Sequence, residues 1–226
     1  MVAGFVLSIV AIVISLVSIG YARRATRAGE RAAGAGERAA LAGSTAAAVE
    51  SDRRHAELTP RLRIRCRPSN PGSDQYELTV KLIGPVGLDR LDELVVTIRD
   101  DHPWRAEGTD LAGGPSPEEV AAQIWGPKRF VPGTGPGTNP ARGVPGADPT
   151  GRTTPTGGMP MDEELRFVLE ATTPPRWSRQ STQDWLTQQG TVLRLTFQCR
   201  KDTAAWSVAG EVDFQTDNPV VVPALP

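Results

Sequence analysis

The chain begins with an apolar stretch that contains no charged residue, from Val2 to Gly20. A helix of this length extends about 28 Å at 1.5 Å per residue, which just covers the roughly 30 Å hydrocarbon core of a bilayer. Within lipid, a helix satisfies its backbone hydrogen bonds inside one segment. The stretch therefore predicts a transmembrane helix over residues 1–20, with the lipid bilayer as its partner through residues 2–20.

The charges on either side of this stretch predict its orientation. No lysine or arginine precedes it, and four arginines follow it at once: Arg23, Arg24, Arg27 and Arg31. Because flanking positive charge stays in the cytoplasm, we expect a single-pass protein of the cell membrane, with its N-terminus outside and its C-terminal domain cytoplasmic. A cleaved signal peptide is the alternative, since Ser18 and Gly20 are small residues at plausible cleavage positions. Signal peptides, however, carry positive charge before their apolar stretch.

Small side chains recur every three or four residues along the apolar stretch. They are Gly4, Ser8, Ala11, Ser15 and Ser18. The same register continues through residues 21–59, where the sequence AGERAAGAGERAA, from Ala28 to Ala40, repeats with a period of seven. This spacing lets two helices approach closely and wrap around each other, first in lipid and then in water. The stripe predicts self-association into a homodimer through a continuous helix that forms a coiled coil.

The composition of residues 21–59 leaves a second interpretation open, that of a partly helical and partly flexible spacer. Small residues dominate this segment, so a stripe of them is less unexpected here than in the membrane. Each glycine also costs a helix about 1 kcal/mol relative to alanine. The end of the spacer is better defined, because Glu50 and Arg54 have the spacing of a favourable helical pair and Pro60 stops the helix.

From Arg61 onward the apolar period changes from helical to alternating. A seventh segment is indicated around Phe130 and Val131, and six segments alternate clearly: residues 62–66, 76–83, 93–100, 165–170, 192–199 and 206–214. This pattern predicts a mainly β domain over residues 60–226, folded as an antiparallel β-sandwich. The connection GPVGLDRLDEL, from Gly84 to Leu94, is similar to one in bacterial immunoglobulin-like domains. That resemblance implies an immunoglobulin-like sandwich.

Two short helices are predicted between the strands. In SPEEVAAQIWGP, Ser116 caps the helix, Glu119 completes a capping box, and Gly126 with Pro127 stops it. In STQDWLTQQG, Ser181 is the cap and a glycine ends the helix.

Glycine and proline crowd the segment from Gly126 to Pro160. The composition predicts a long loop without structure of its own, and it favours disorder for residues 132–156. Loops well beyond about 15 residues are usually either binding elements or disordered.

No residue pattern in the chain points to catalysis, a cofactor or a metal. The two histidines are His55, in the spacer, and His102, in RDDHPW after a strand. Adjacent side chains on an extended chain point opposite ways, so Asp100, Asp101 and His102 favour a strand-ending turn over a metal site. No G-x-S-x-G elbow is present, and GTGPGTNP lacks the P-loop lysine and its helix. We therefore expect a protein that is not an enzyme and uses no cofactor.

Two further observations bear on compartment and partner. Cys66 and Cys199 fall on the apolar sides of their strands, which in a reducing cytoplasm makes them small core residues. In an exported domain they could instead form a disulfide between two strands. The net charge of -1 gives no general attraction to nucleic acid, so we expect no specific nucleic-acid partner.

The first strand, RLRIRCRP, presents a row of arginines opposite its apolar face. Because the intervening residues occupy the core side, the arginines must project outward; they are Arg61, Arg63, Arg65 and Arg67. One interpretation is cross-strand pairing with the outward acids Glu77, Glu211 and Asp213, each pair contributing about 0.2–1 kcal/mol. The other is a patch that binds an anionic partner, such as phosphate or lipid head groups.

Tryptophans beside arginines recur in the connections between strands. They are Trp104 with Arg105, Trp125 with Arg129, and Trp177 with Arg176. Because Trp and Arg dominate interface hot spots, these residues are candidate partner-binding positions at one end of the sandwich. Alternatively, the large aromatic side chains pin long loops to the sandwich.

The chain as a whole resembles single-span membrane proteins common in actinobacteria. The resemblance rests on Val2 to Gly20, on Ala28 to Ala40 and on the sequence IWGPKRFVPG, and it implies an anchor, an Ala/Arg spacer and a C-terminal β-rich domain. No activity attaches to that group. We therefore expect a membrane-anchored, cytoplasm-facing binding or scaffolding module. The alternative is an exported, envelope-facing ligand-binding domain with a Cys66–Cys199 disulfide, and an enzyme of unknown type ranks third.

Overall fold

The computed structural model describes residues 34, 36–70, 72–99, 114–137 and 148–223. The chain divides into two compact units, Met1–Ala56 and Glu57–Pro226. The described part of the first unit is helical. The second unit is mainly β, with antiparallel sheets and few helices.

Helix α1 covers residues 36–57, within the predicted spacer, and it ends before Pro60. Its side chains are exposed. Glu50 pairs with Arg53 at 3.9 Å rather than with the expected Arg54, and both arginines lie about one helical turn away. Of the helices among the described residues, none is both long and apolar enough to cross a bilayer. Residues 2–20 lie outside that description, and with them the predicted self-association positions Gly4, Ser8, Ala11, Ser15 and Ser18.

The described residues of the β unit include eleven strands. They are β1 Arg61–Pro68, β2 Tyr76–Gly84, β3 Arg90–Leu91, β4 Glu93–Ile98, β5 Lys128–Phe130, β6 Thr153–Thr156, β7 Met159–Pro160, β8 Glu164–Ala171, β9 Val192–Lys201, β10 Ala204–Asp213 and β11 Val220–Val222. One sheet has five strands in the order β11-β1-β2-β8-β5, and the other has four in the order β10-β9-β4-β6. Strands β3 and β7 form a separate pair.

The alternation of apolar residues explains which side chains are buried. In β1, Leu62, Ile64 and Cys66 are fully buried, while the arginines between them are not. Inward residues of both sheets belong to one hydrophobic cluster, which includes Phe167 of β8 and Phe197 of β9. Burying a large apolar side chain contributes about 1.5–3 kcal/mol, so this shared cluster holds the sheets together.

The two sheets come close together at Gly210 of β10. A methyl group added to its Cα would lie 2.8 Å from Val222 Cγ1 and 3.3 Å from Ile64 Cδ1. Both neighbours belong to the five-stranded sheet, whereas β10 belongs to the other. Glycine is therefore needed here for space between the sheets.

Both predicted short helices are present. Helix α2 is Pro117–Ala122 and helix α3 is Thr182–Gln189. Ser116 and Glu119 form the capping box of α2, with hydrogen bonds of 3.2 and 2.8 Å, and Ser181 caps α3 by accepting from a backbone N–H at 3.1 Å. Helix α2 ends at Ala122, before its predicted stop, while Gly190 follows α3 with a φ of 74°.

The prediction that residues 126–160 lack structure of their own is wrong for the part that the structure describes. Strands β5, β6 and β7 lie in this segment. Strand β5 pairs with β8, and β6 pairs with β4, so each extends one edge of a sheet.

Asp148 organises the turn that leads into β6. Its carboxylate accepts hydrogen bonds from the backbone N–H groups of Thr150, Arg152 and Thr153 at 2.8, 3.1 and 3.0 Å, and from the Thr150 hydroxyl at 2.7 Å. Burial alone would raise the pKa of Asp148, but these hydrogen bonds outweigh it and hold that pKa below its ordinary value. A carboxylate thus orders a segment whose glycine content suggested a loop.

Candidate functional site

The outer face of the five-stranded sheet carries the arginine row of β1. The ladder places Arg63 opposite Lys81 of β2, and Thr79 of β2 lies between Arg65 and Arg166 of β8. Because side chains alternate across a strand, these residues project away from the core. We refer to the surface formed by five of them as the cationic face: Arg63, Arg65, Arg67, Lys81 and Arg166.

Most cations of this face have an acidic partner. The pairs are Arg65–Asp217 at 2.5 Å, Arg67–Glu77 at 3.0 Å, Lys81–Asp162 at 3.2 Å and Arg166–Glu164 at 3.6 Å. Arg65 donates from both Nε and Nη2, and these hydrogen bonds hold the pKa of the Asp217 carboxyl below its ordinary value. Arg61 and Arg63 are exposed, and among the described residues neither has an acidic partner.

Of the three acids expected beside the arginine row, the structure places one there. Glu77 pairs with Arg67 across β1 and β2. The expectation for Glu211 and Asp213 is wrong, because both lie on β10 in the other sheet, where Glu211 pairs with Arg194 at 3.3 Å. Alternation indicates which face a residue takes, but it does not indicate which sheet a strand joins.

The cationic face contains a cavity of about 340 Å³. All five of its cations line this cavity, together with one acid, Glu164. A guanidinium presents its N–H donors as a planar fork that matches a carboxylate or a phosphate. The cavity can therefore hold an anionic group, with Arg63 as the cation that no described acid neutralises.

The tryptophan and arginine pairs occupy different environments. Trp104 and Arg105 lie outside the described residues. Trp125 packs against Trp185 of α3, with ring centroids 5.8 Å apart. Arg129 pairs with a glutamate of β8 at 2.7 Å. These contacts hold the segment around β5 against its neighbours.

Trp177 and Arg176 lie in the connection between β8 and α3. Both are exposed, and Trp177 has 37% of its surface accessible. Because an exposed tryptophan beside an arginine is typical of interface residues, this pair keeps its place as a candidate contact for a partner.

A second site, which the sequence prediction missed, surrounds Lys128 of β5. This lysine is only 6% exposed. Its Nζ lies 3.8 Å from the ring centroid of Tyr76 and 5.0 Å from that of Phe214, within the range of cation–π attraction. Burial is the largest influence on the pKa of Lys128 and lowers it below its ordinary value. Within the described ranges, Nζ has no carboxylate or other hydrogen-bond acceptor.

The sequence contains a signal for this site. Phe130 faces the core, so the period of two places Lys128 on the same inward side of β5. Lysine is almost never fully buried unless it is paired. A cavity of about 800 Å³ lies beside Lys128, and its lining includes Tyr76, Phe214 and Leu186.

Both cysteines are free thiols within the shared core. Cys66 lies on β1 and Cys199 on β9, and each is almost completely buried. Burial raises the pKa of each thiol to about 12. Because the thiolate is the reactive form, both side chains are inert near neutral pH.

The remaining candidate group, Asp100 with Asp101 and His102, lies outside the described residues. In the part of the chain that the structure does describe, no cluster of three His, Cys, Asp or Glu side chains is arranged to hold a metal ion.

No family model, curated protein sequence or solved structure matches this chain.

Proposed function

We propose that this chain is a membrane-anchored binding module that faces the cytoplasm and holds an acidic protein segment on its cationic face, without catalysis. The charge-free stretch from Val2 to Gly20 is its anchor, and the arginines that follow support the cytoplasmic placement. The free thiols of Cys66 and Cys199 support a reducing compartment over the exported alternative.

The observation that carries this proposal is the environment of Arg63. The other cations of the face are held by acids, whereas Arg63 borders the cavity without an acidic partner among the described residues. Lys81 lies directly opposite it and Arg65 lies on the same face of the strand, so like charges repel across this position. A carboxylate from a partner would relieve the repulsion and occupy the guanidinium fork.

The acids on the same face favour a protein partner over a lipid surface. A bilayer presents a continuous negative potential, which would repel Glu77, Glu164 and Asp217. A polypeptide can place one carboxylate at Arg63 and neutral or basic groups beside the acids. Charge complementarity of this kind contributes to specificity and to association rate more than to affinity.

The strand order supports an immunoglobulin-like sandwich as the scaffold. Immunoglobulin domains place strands A, B, E and D in one sheet and G, F and C in the other. Here β1-β2-β8-β5 and β10-β9-β4 follow those two orders, with β6 beside β4 as an added edge strand. The arrangement differs in chain order, because β5 precedes β6, and β11 adds a strand beside β1.

We also propose that the anchor brings two copies together. The register of small residues that begins at Gly4 continues along α1 at Gly36, Ala39, Gly43 and Ala46, all of them exposed. Two domains held by one helical pair would present two cationic faces, which raises the avidity for a repetitive acidic partner.

A peptide-binding measurement with matched charge removals tests the proposed function. The full chain in nanodiscs of neutral lipid is titrated with a fluorescein-labelled peptide of alternating glutamate and glycine, followed by fluorescence anisotropy. Arg63→Gln removes the unpaired charge. Arg200→Gln removes an equal charge from the other sheet, where Arg200 pairs with Glu93 at 2.6 Å. We expect Arg63→Gln to weaken binding about two- to fivefold, the scale of one exposed ion pair, and Arg200→Gln to leave it unchanged.

Two outcomes would contradict the proposal. Equal weakening by both variants would mean that the peptide responds only to net charge. If vesicles containing phosphatidylserine bound the chain in an Arg63-dependent way while the peptide did not, the partner would be a lipid surface.

A further inference from the structure

The cavity beside Lys128 is lined by the edge of the five-stranded sheet and by helix α3. Its volume is about 800 Å³. Small-molecule sites are typically cavities of about 300–1,000 Å³ with mainly apolar walls and a few well-placed polar groups. The residues that line this cavity are distinct from those that line the cavity of the cationic face, so it is a separate site.

The charge of Lys128 lacks a partner in this cavity. Lys128 is the one cation and Asp74 the one acid among the described residues that line it. The rings of Tyr76 and Phe214 attract the ammonium through their faces, but those faces accept no conventional hydrogen bond. Asp74 is not within ion-pair distance of Nζ. The lysine side chain is almost completely buried, yet its residue lines the cavity, so an anion that enters the cavity can accept from the three N–H donors of the ammonium.

The other two lysines of the chain, unlike Lys128, are paired with carboxylates. Lys81 pairs with Asp162 at 3.2 Å, and Lys201 pairs with Asp89 at 3.0 Å. The sequence contains only these three lysines. Lys128 is therefore distinguished both by its burial and by the absence of a carboxylate partner within the described ranges.

The other residues that line the cavity indicate what kind of ligand would pack against them. Tyr76, Phe214 and Leu186 provide apolar surface, which suits an aromatic or aliphatic group. Thr182 and Thr191 add hydroxyl groups at the lining, which can fix the orientation of a polar substituent.

We propose that this cavity binds a small carboxylic acid with an apolar or aromatic body, whose carboxylate pairs with Nζ of Lys128 while its body lies against Tyr76 and Phe214. The ligand supplies the acceptor that the protein does not. Burial lowers the pKa of Lys128, and a bound carboxylate acts in the opposite direction, so binding of the acid and protonation of the lysine reinforce each other.

A matched pair of probes tests this assignment. 1-Naphthylacetate carries the carboxylate, and 1-naphthylacetamide has nearly the same shape without the charge. Binding of each to the full chain in nanodiscs is measured by isothermal titration calorimetry, with empty nanodiscs as the blank. Because a hydrogen-bonded charge pair is lost with the amide, we expect it to bind at least about tenfold more weakly than the acid.

Two lysine variants test whether the preference for the acid over the amide depends on Lys128. Lys128→Met keeps an apolar stem of similar length against the two rings, and it should weaken binding of the acid at least about tenfold but binding of the amide by a smaller factor, because the amide oxygen loses only a hydrogen bond and no charge pair. Lys201→Met removes an equal charge from the surface and should change neither. Equal affinity for acid and amide, or no binding of the acid at 1 mM, would overturn the proposal even if Lys128→Met failed to fold. Unchanged binding of the acid by folded Lys128→Met would overturn it as well.

Discussion

At the scale of single residues, the hydroxyl of Thr172 joins three elements of the domain. Thr172 follows β8 and is almost completely buried. Its Oγ1 donates to the carbonyl oxygen of Gly126, just before β5, at 2.5 Å, and it accepts from Nε1 of Trp185 in α3 at 3.0 Å. One hydroxyl therefore holds α3 in place beside the Lys128 cavity.

Replacing Thr172 with valine keeps its shape and removes the hydroxyl. A buried donor or acceptor left unsatisfied costs about 1–3 kcal/mol, so Thr172→Val should lower the free energy of unfolding by about that amount. Thr173→Val, at the exposed neighbouring position, should change it by less than about 0.5 kcal/mol. Guanidinium-induced unfolding of the full chain, followed by tryptophan fluorescence, measures both. Equal destabilisation by the two variants would show that the hydroxyl network has no special role.

The individual residues also show which features of the cationic face and of the Lys128 site the sequence predicts and which it does not. Alternation correctly predicts that the arginines of β1 project outward, because Leu62, Ile64 and Cys66 fill the core side. It does not predict that Asp217, far along the chain, binds Arg65. The buried position of Lys128 follows from the same period, but the rings of Tyr76 and Phe214 reach it only through tertiary contacts.

At the scale of elements, β10 depends on the missing side chain of Gly210. Gly210→Ala would place a methyl group 2.8 Å from Val222 Cγ1, so the sheets must shift apart. Overpacking of this kind costs about 1–3 kcal/mol, and we expect Gly210→Ala to lower the free energy of unfolding accordingly. Gly157→Ala is the matched control, because an added methyl group there meets no atom within 4 Å. Comparison of the two denaturation midpoints checks the prediction, and a midpoint for Gly210→Ala equal to that of the control would contradict it.

Element prediction from the sequence succeeds for long strands and fails for short ones. The six clearly alternating segments correspond to β1, β2, β4, β8, β9 and β10, since each repeats the period of two often enough to be recognised, whereas the segment indicated around Phe130 and Val131 overlaps only the short β5. Strands β3, β6, β7 and β11 have only two to four residues. Strand β6 also contains Pro155, which an edge strand tolerates because its missing N–H can face away from the ladder.

At the scale of the whole molecule, the shared core makes the two sheets interdependent. The partition of strands between sheets depends on contacts distant in sequence, which is why the β10 acids could not be assigned from the pattern alone. Once assembled, inward residues of both sheets bury one another. The β domain should therefore unfold as one cooperative unit.

The two buried thiols report on that cooperativity, because Cys66 and Cys199 lie on opposite sheets. Burial raises the pKa of each from 9.0 to about 12, so at pH 8 neither reacts with Ellman's reagent until the domain opens. We expect both to become labelled at the same rate at every urea concentration, as measured by mass spectrometry of the two peptides. A cysteine introduced by Ser207→Cys, at an exposed position of β10, should react at once and serves as the control.

The pH dependence of thiol labelling follows from the direction in which burial shifts the pKa values of Cys66 and Cys199. Because the folded-state pKa of each thiol lies above its unfolded value, the thiols favour the folded state fully below pH 9.0, and this contribution declines as the pH rises from 9.0 toward about 12. Labelling of both cysteines should therefore accelerate together at alkaline pH. Labelling of Cys66 at a lower urea concentration than Cys199 would mean that the five-stranded sheet opens separately, and the single cooperative core would have to be abandoned.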